Sequence, residues 1–346
     1  MADLIPNPQQ FDENVLSSRL SITPIELRKL ANKFVETNRG SSNVADDMEV
    51  WRRDVLVAFD SNFSEITFAA SLFAKTSRNK ALTCALYKVA AEEGYPNAAY
   101  NYALLVGTKE LKVDGGNALS KKIIKELAQL DHIPSMLVLA DINIRSKSAK
   151  DLRDAVDILE KAAEHKNGHS YYRLGHIYAS GLLGTHDYRK AIEWFGKLDE
   201  VGSPDGYYLI GCLLSEGKGT ADDKPDLKAA LANFEKAAAK GSVISQYELG
   251  IRYTEGVGVA KDVDVGLEYL ILAAEGKMAV AMLKLCSLYM LGTDVPKDYK
   301  RSRMYLDKAV KFSDSSKMLT DAIENLRSAL DKEDKKPKKD SWCSVM

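Results

Sequence analysis

The sequence has little cysteine, almost no net charge and no long apolar segment. Only 4 of its 346 residues are cysteine, and Cys84, Cys212 and Cys286 lie too far apart for a zinc motif or a secreted disulfide framework. The 48 basic and 49 acidic side chains nearly cancel, so nothing indicates a nucleic-acid partner. No run approaches the roughly 18 apolar residues of a transmembrane helix. We expect a soluble chain whose three internal cysteines are core residues.

The amino-terminal residues lack the order of a targeting signal. Met-Ala-Asp-Leu-Ile-Pro, with Asp12 and Glu13 close behind, has neither the basic-then-apolar order of a secretory signal nor the arginine-rich, acid-poor composition of a transit peptide. The sequence therefore predicts a cytoplasmic protein.

Motifs of catalysis and cofactor binding are missing as well. The chain contains no Gly-x-x-x-x-Gly-Lys phosphate loop and no Gly-x-Ser-x-Gly elbow. His165, His169 and His176 straddle the turn at Asn167-Gly168 without an accompanying set of cysteine or carboxylate ligands, which disfavours a metal site. We expect no enzymatic activity, no cofactor, no metal and no small-molecule substrate.

An aspartate recurs six times at a nearly constant spacing. The positions are Asp114, Asp151, Asp187, Asp226, Asp262 and Asp298, with steps of 37, 36, 39, 36 and 36 residues. Four residues after each aspartate comes a small residue: Ala118, Ala155, Ala191, Ala230, Gly266 or Ser302. A period of this length is typical of two-helix solenoid repeats, so the sequence is interpreted unit by unit. The 39-residue step places three extra residues in the loop at 220–225.

Each unit shows two helical patterns joined by a glycine loop. The aspartate precedes the second helix and is predicted to cap it. The first helix carries a small residue, here called the small mark, at Ala98, Ser135, Ser170, Gly206, Ser245 and Ala281. Another small residue follows five positions later, at Ala103, Ala140, Gly175, Gly211, Gly250 and Cys286. We expect these small residues to let paired helices approach closely, and loops such as Glu255-Gly-Val-Gly258 to turn the chain.

The combination of small-Leu-Gly-x-x-Tyr, Gly-x-Gly, the aspartate cap and Ala-Ala-x-x-Gly resembles the Sel1-like repeat, a relative of the tetratricopeptide repeat. The resemblance covers residues 77–315, about six units, of which residues 97–150 lack the glycine loop and are judged degenerate. It implies an all-α fold: a right-handed α-solenoid of helix-turn-helix repeats whose first helices line a concave groove. Such a scaffold implies protein–protein interaction.

The flanking segments complete the predicted organisation. Residues 1–22 are predicted to be a flexible arm, and 23–76 an N-terminal helical cap with helices near 24–37, 44–59 and 64–74. Residues 316–331 are predicted to form a closing helix, and 332–346 a polar tail. The closing helix offers the following apolar residues for docking: Met318, Leu319, Ala322, Leu326 and Leu330.

The tail carries a lipidation motif. Cys343-Ser344-Val345-Met346 fits the C-a-a-X box, in which the cysteine is prenylated and a terminal methionine favours farnesyl, followed by methylation of the new terminus. One lipid chain gives only reversible membrane binding, and acidic residues offset the neighbouring lysines. We therefore expect peripheral attachment to the cytoplasmic face of a membrane, completed by a membrane-resident partner.

The predicted partner-binding residues are irregular positions beside the repeated marks, where aromatic and arginine side chains suit an interface. They are Tyr171, Arg173, His176, Tyr207, Glu248 and Arg252. The tyrosines two positions after the small mark recur in phase and are interpreted as packing residues.

The sequence favours a non-enzymatic adaptor or regulator that binds a protein partner, such as a membrane enzyme, in the groove. Repeats followed by a C-a-a-X box resemble fungal chitin synthase regulators, which implies activation or localisation of a cell-wall synthase. The alternative is a soluble co-chaperone or quality-control adaptor that binds client peptides.

Overall fold

The computed structural model describes residues 26–34, 44–76, 80–108, 115–146, 148–313 and 316–334, residue 28 excepted. All regular structure in these residues is helical, and no strand occurs among them, which confirms the all-α prediction. None of the helices in these ranges combines the length and the apolar character needed to cross a bilayer. The chain divides into two compact units, residues 1–162 and 163–346, which are described separately.

The first unit is a succession of helices, each packed on the next from α2 to α6. Helical backbone at 26–27 and 29–34 is followed by α1 (Val44–Ala58), α2 (Phe63–Thr76), α3 (Lys80–Glu92), α4 (Pro96–Val106), α5 (Gly116–Gln129), α6 (Ile133–Ser146) and α7 (Ala149–Glu164), whose last turn crosses the division. The helices predicted at 44–59 and 64–74 are confirmed, and the one at 24–37 is confirmed at 26–27 and 29–34.

Large side chains fill the core of the first unit. Trp51, Phe59 and Ile66 are almost completely buried, and the Trp51 ring lies 5.0 Å from that of Phe34. The Trp51 indole Nε1 donates a hydrogen bond to the carbonyl oxygen of Leu30 at 2.9 Å, so its polar atom is satisfied. This contact ties the helical segment 26–34 to α1.

The second unit consists of helix pairs in which each helix packs on the next. Its helices are α8 (Gly168–Ser180), α9 (Tyr188–Gly196), a 3-10 turn (Lys197–Val201), α10 (Asp205–Ser215), α11 (Leu227–Ala239), α12 (Val243–Glu255), α13 (Val263–Glu275), α14 (Ala279–Leu291), α15 (Tyr299–Phe312) and α16 (Lys317–Asp334). The helices α8, α10, α12 and α14 are the first helices of four repeats, and α9, α11, α13 and α15 are the second helices.

Four of the six predicted aspartate caps are confirmed. The carboxylates of Asp187, Asp226, Asp262 and Asp298 accept the backbone N–H three residues later at 3.0, 2.9, 3.1 and 2.9 Å. Asp114 lies outside the described residues. The prediction is wrong for Asp151, which lies inside the first turn of α7 and accepts a hydrogen bond from the Ser146 hydroxyl at 2.6 Å. A serine, Ser148, stands immediately before that helix instead.

Each of these four aspartates also closes the loop with its own backbone. Its N–H donates to the carbonyl oxygen eight residues after the small mark, and the distance is 2.9 Å in every repeat; the acceptors are Tyr178, Leu214, Tyr253 and Tyr289. The Asp226 bond forms despite the longer loop at 220–225. The loop glycines adopt the left-handed backbone that favours glycine, as Gly256 and Gly258 do with φ of 76° each.

The small residues five positions after the small mark allow close helix crossings. A Cβ added at Gly175 would lie 2.4 Å from the Phe195 ring, and one at Gly250 would lie 2.6 Å from Leu270 Cγ. In the fourth repeat Cys286 takes this place, with its Sγ 3.2 Å from Ser302 Oγ. The close approach is therefore confirmed. Cys286 is buried as predicted, whereas Cys84 and Cys212 are only half-buried.

The closing helix α16 runs from Lys317 to Asp334, past the predicted end at 331, so residues 332–334 are helical rather than part of a tail. It packs on α14 and α15 through buried Ile323 and Leu330, with Leu319, Ala322 and Leu326 beside them. Docking through Met318 is wrong: this side chain is 74% exposed because it lies on the solvent side of the helix.

Candidate partner-binding surface

One side of each first helix faces solvent in the second unit. A helix turns by about 100° per residue, so the positions two, three and six after the small mark share a side. We call these residues the first-helix stripe: Tyr172, Arg173, His176, Tyr208, Leu209, Cys212, Tyr247, Glu248, Ile251, Leu283, Lys284 and Ser287. All of them except Leu283 are half-buried or exposed.

Aromatic rings occupy the stripe in three of the four repeats. Tyr172 is 43% exposed, and its ring lies 4.3 Å from the imidazole of His176. The Phe195 ring supports both, 6.4 Å from Tyr172 and 5.3 Å from His176. Burial lowers the pKa of His176, so its imidazole is neutral at physiological pH. This cluster offers a partner flat apolar area without a fixed charge.

The next repeats add acidic groups to the stripe. Burial raises the pKa of Tyr208 and of Cys212, and the Glu248 carboxylate adds to both shifts. Burial likewise raises the pKa of Tyr247, followed by the charges of Glu248 and Glu255. The Lys284 ammonium lies 2.7 Å from the Glu255 carboxylate, which links α14 to α12. The stripe thus combines aromatic rings with Arg173 in the first repeat and carries Glu248 in the third repeat and Lys284 in the fourth.

The structure separates the six predicted partner-binding residues. Arg173, His176 and Glu248 belong to the stripe. The other three, Tyr171, Tyr207 and Arg252, lie off it, at positions one or seven after the small mark. Their role in partner binding stays a prediction.

Two of the residues off the stripe are held by their own chain. Tyr171 is buried, and its ring stacks on that of Trp194 with the centroids 6.1 Å apart. The hydroxyl of Tyr207 hydrogen-bonds the carboxylate of Asp199, which also lies 2.7 Å from the ammonium of Lys240. The hydrogen bond to Asp199 raises the pKa of Tyr207, followed by burial. The Asp199 contacts connect the 3-10 turn to α10 and to Lys240, the residue that follows α11.

The tyrosines two positions after the small mark are more accessible than the packing prediction implies. Their recurrence in phase predicts burial, yet Tyr172 is exposed while Tyr208 and Tyr247 are half-buried. Helical geometry could have indicated this exposure, because the position two after the small mark lies on the same side of the helix as the variable positions three and six. These rings both pack and face the stripe.

Within the described ranges, no group of three or more histidine, cysteine, aspartate or glutamate side chains could hold a metal ion. His176 contacts aromatic rings. The predicted lipidation site Cys343 lies outside the described residues.

Comparison with known proteins identifies the repeats. The Sel1 repeat family matches residues 168–198, 204–242, 243–277 and 279–311. The chain is 35% identical over 118 residues to the ERAD-associated E3 ubiquitin-protein ligase component HRD3B of Arabidopsis thaliana, covering 34% of this chain and 18% of that protein. It is 23% identical over 301 residues to chitin synthase regulatory factor 3 of Schizosaccharomyces pombe, covering 80% of this chain and 32% of that protein.

A solved structure shares the fold. The Sel1 repeat protein from Oxalobacter formigenes superimposes with a TM-score of 0.59 at 19% identity, covering 87% of this chain and 85% of that one.

The chain spans a third or less of the length of the two curated relatives named above. The four matched segments are Sel1 repeats, and the shared fold is that of an α-solenoid.

Proposed function

We propose that this protein is a non-enzymatic adaptor that binds a protein partner along the first-helix stripe. The observation that carries the proposal is the contrast between scaffold and stripe. The aspartate cap and the loop hydrogen bond are the same in all four repeats. The position three after the small mark, by contrast, is Arg173, Leu209, Glu248 and Lys284 in turn. A constant frame that presents changing side chains is suited to recognising one extended surface.

We further propose that the partner is a membrane enzyme and that this chain regulates it. The support is the match to chitin synthase regulatory factor 3, which extends over 80% of this chain and thus beyond the four repeats. A regulator of a chitin-synthase-like enzyme must act at a membrane, and the C-a-a-X pattern at Cys343 would supply the attachment.

Site-specific photocrosslinking tests partner binding. A photoreactive phenylalanine analogue at Tyr172 or Tyr247 should crosslink one discrete protein in native cells. The matched control places the analogue at Glu193, an exposed position on the second helix α9. Equal crosslinking from Glu193, or none from either stripe position, would contradict the proposal.

The tether is tested by the intact mass of the protein isolated from its native cell. Farnesylation should remove Ser344, Val345 and Met346 and add a farnesyl and a methyl group to Cys343. The Cys343→Ser variant should keep its full length and move to the soluble fraction. An unmodified carboxyl terminus in the wild type would remove the tether from the proposal.

The second candidate is a soluble quality-control adaptor. The match to HRD3B favours it, since that protein is named as an ERAD-associated ligase component, but the match spans only 34% of this chain. Under this alternative, Cys343→Ser should leave both localisation and activity unchanged. The stripe should then crosslink many client proteins instead of one.

A further inference from the structure

Arg252 is a buried cation whose donors are not all satisfied. It lies on α12, seven residues after the small mark, and only 9% of its surface is exposed. Its guanidinium carbon lies 4.7 Å from the centre of the Phe234 ring. The buried Nε and Nη1 atoms have no hydrogen-bond partner among the residues that the structure describes. A stacked ring stabilises the cation only in part, because it accepts no conventional hydrogen bond.

Two other buried polar side chains of the second unit do have partners. The Thr254 hydroxyl donates to the carbonyl oxygen of Gly250 at 2.8 Å, and the Ser302 hydroxyl donates to that of Cys286 at 2.7 Å. An unpaired buried charge destabilises a fold, and a hydrophobic replacement of similar shape is often neutral or stabilising. Arg252 therefore costs stability that its own contacts do not restore.

The carboxylates near Arg252 do not neutralise it. Glu216 pairs with Lys218 at 2.5 Å, and Glu255 pairs with Lys284 at 2.7 Å. Glu248 is one helical turn away on the same helix, yet the two side chains form no ion pair in this described part of α12. Both charges act on the thiol of Cys212, a stripe residue, so Arg252 lies at the edge of the stripe.

We infer that Arg252 is the docking point for a carboxylate, supplied by an acidic side chain of a partner segment that lies along the first-helix stripe. This inference rests on the proposed function, since the partner brings the carboxylate. A carboxylate suits the site better than a phosphate does, because Glu248 repels the dianion more strongly than the monoanion. A carboxylate that contacts the exposed 9% of Arg252 would accept a hydrogen bond from the guanidinium and offset its buried charge.

Sodium acetate is the probe for this site. The Nε–H resonance of Arg252 is followed in protein labelled with 15N-arginine, and its assignment comes from its absence in Arg252→Met. Acetate should displace the resonance to a saturating value, while sodium chloride of equal ionic strength should not. Arg301 serves as the internal reference, because it is exposed and already lies 3.4 Å from the Asp298 carboxylate. An Arg252 resonance that stays still, or drifts in parallel with Arg301, would overturn the inference.

Stability measurements separate a binding role from a structural one. Arg252→Met keeps the side-chain length and removes the charge, so its Tm should equal or exceed that of the wild type. Arg301→Met is the matched control, since this guanidinium also lies over a ring, 5.4 Å from Tyr289, and should lower the Tm slightly. Acetate should raise the Tm of the wild type but not that of Arg252→Met. A larger loss of Tm for Arg252→Met than for Arg301→Met would make Arg252 a structural residue.

Glu248→Gln gives a prediction of opposite sign. Removing this neighbouring negative charge should lower the acetate concentration at half saturation. A higher half-saturating concentration would contradict a carboxylate site, and so would inorganic phosphate that binds more tightly than acetate.

The two proposals fail independently. Saturable acetate binding without stripe crosslinking would remove the adaptor function alone, and stripe crosslinking without acetate binding would remove only the docking point.

Discussion

The two units of the molecule build their helix junctions differently. In the second unit, each helix pair of the four repeats is closed by an aspartate cap and by the aspartate N–H bond of 2.9 Å to the preceding helix. In the first unit, the junctions differ from one another. The helix α5 follows Gly115, which makes no side-chain cap bond and has a φ of 68°, whereas α7 contains Asp151 inside its first turn.

The difference shows what repetition requires. A junction that occurs once can be stabilised by the particular side chains around it. In the first unit, the large core around Trp51 provides such side chains. A junction used repeatedly must hold the same geometry with each new set of side chains. Backbone hydrogen bonds and glycines maintain this constant geometry, because they do not depend on the variable side chains.

Filling a close helix crossing should break the second unit most severely. In Gly250→Leu the new side chain would collide with Leu270, where even a Cβ comes within 3.1 Å of the backbone nitrogen. We expect a loss of about 3 kcal/mol or more in the free energy of unfolding. The measurement is guanidinium unfolding followed by far-UV circular dichroism.

Gly196→Leu is the matched control for this substitution. A Cβ at Gly196 meets no atom within 4 Å, so the same change should leave the unfolding midpoint unchanged or higher. If Gly250→Leu unfolded at the wild-type midpoint, the close crossing would not matter to the repeat.

A cavity at the end of the second unit should cost slightly less. Leu330 on α16 is fully buried, so Leu330→Ala should destabilise the protein by about 2–3 kcal/mol. Met318→Ala, on the exposed side of the same helix, should have almost no effect. Thermal unfolding of the two variants measures whether α16 closes the unit, and equal Tm values would show that it does not.

Removing an aspartate carboxylate from each unit compares their helix starts directly. Asp262→Ala removes a carboxylate that accepts the Val265 N–H at 3.1 Å and should cost about 1 kcal/mol. Asp151→Ala should cost about half of that or less, because Asp151 lies inside α7 and contributes mainly to the helix dipole. Urea unfolding of both variants measures the two losses in the free energy of unfolding. Equal losses would mean that Asp151 caps α7.

The smallest expected effect is a pH dependence in the first unit. Burial raises the pKa of Cys84 to about 11 from 9.0. The folded state thus holds the thiol proton more tightly than the unfolded state, so this contribution to stability is complete below pH 9 and is lost as the pH rises towards 11. Cys84→Ala should flatten that part of the stability profile.

Alkylation rates measure the same pKa independently. In a variant whose other three cysteines are replaced, the rate with iodoacetamide should rise with an apparent pKa of about 11. A rate that levels off near pH 9 would show an unperturbed, accessible thiol.

Much of this fold could be predicted because the repeat leaves its marks in local chemistry. The aspartates at 187, 226, 262 and 298 cap helices, and the glycines at 175 and 250 mark close crossings. Asp151 misled the prediction, since the spacing alone cannot show that α7 begins earlier. Met318 misled it for a similar reason: an apolar residue near a helix start can face either way.

The candidate site was less predictable than the fold. Helical phase separates the packed positions from the stripe, but the position of Tyr172 fits both. Its exposure in the structure shows that it belongs to the stripe. The missing partner of Arg252 depends on which side chains neighbouring helices bring together, and no sequence pattern records this.

The aspartate N–H bond has a consequence for engineering. It fixes the two ends of the interhelical loop, while the segment at 220–225 already carries three extra residues and leaves the Asp226 bond at 2.9 Å. Because the entropy cost of a longer loop grows slowly with its length, this site should accept an inserted epitope, a fluorophore-labelling tag or a small folded reporter. Of the four repeat loops, the one between α10 and α11 is thus the place to attach a probe without altering the phase of the repeats.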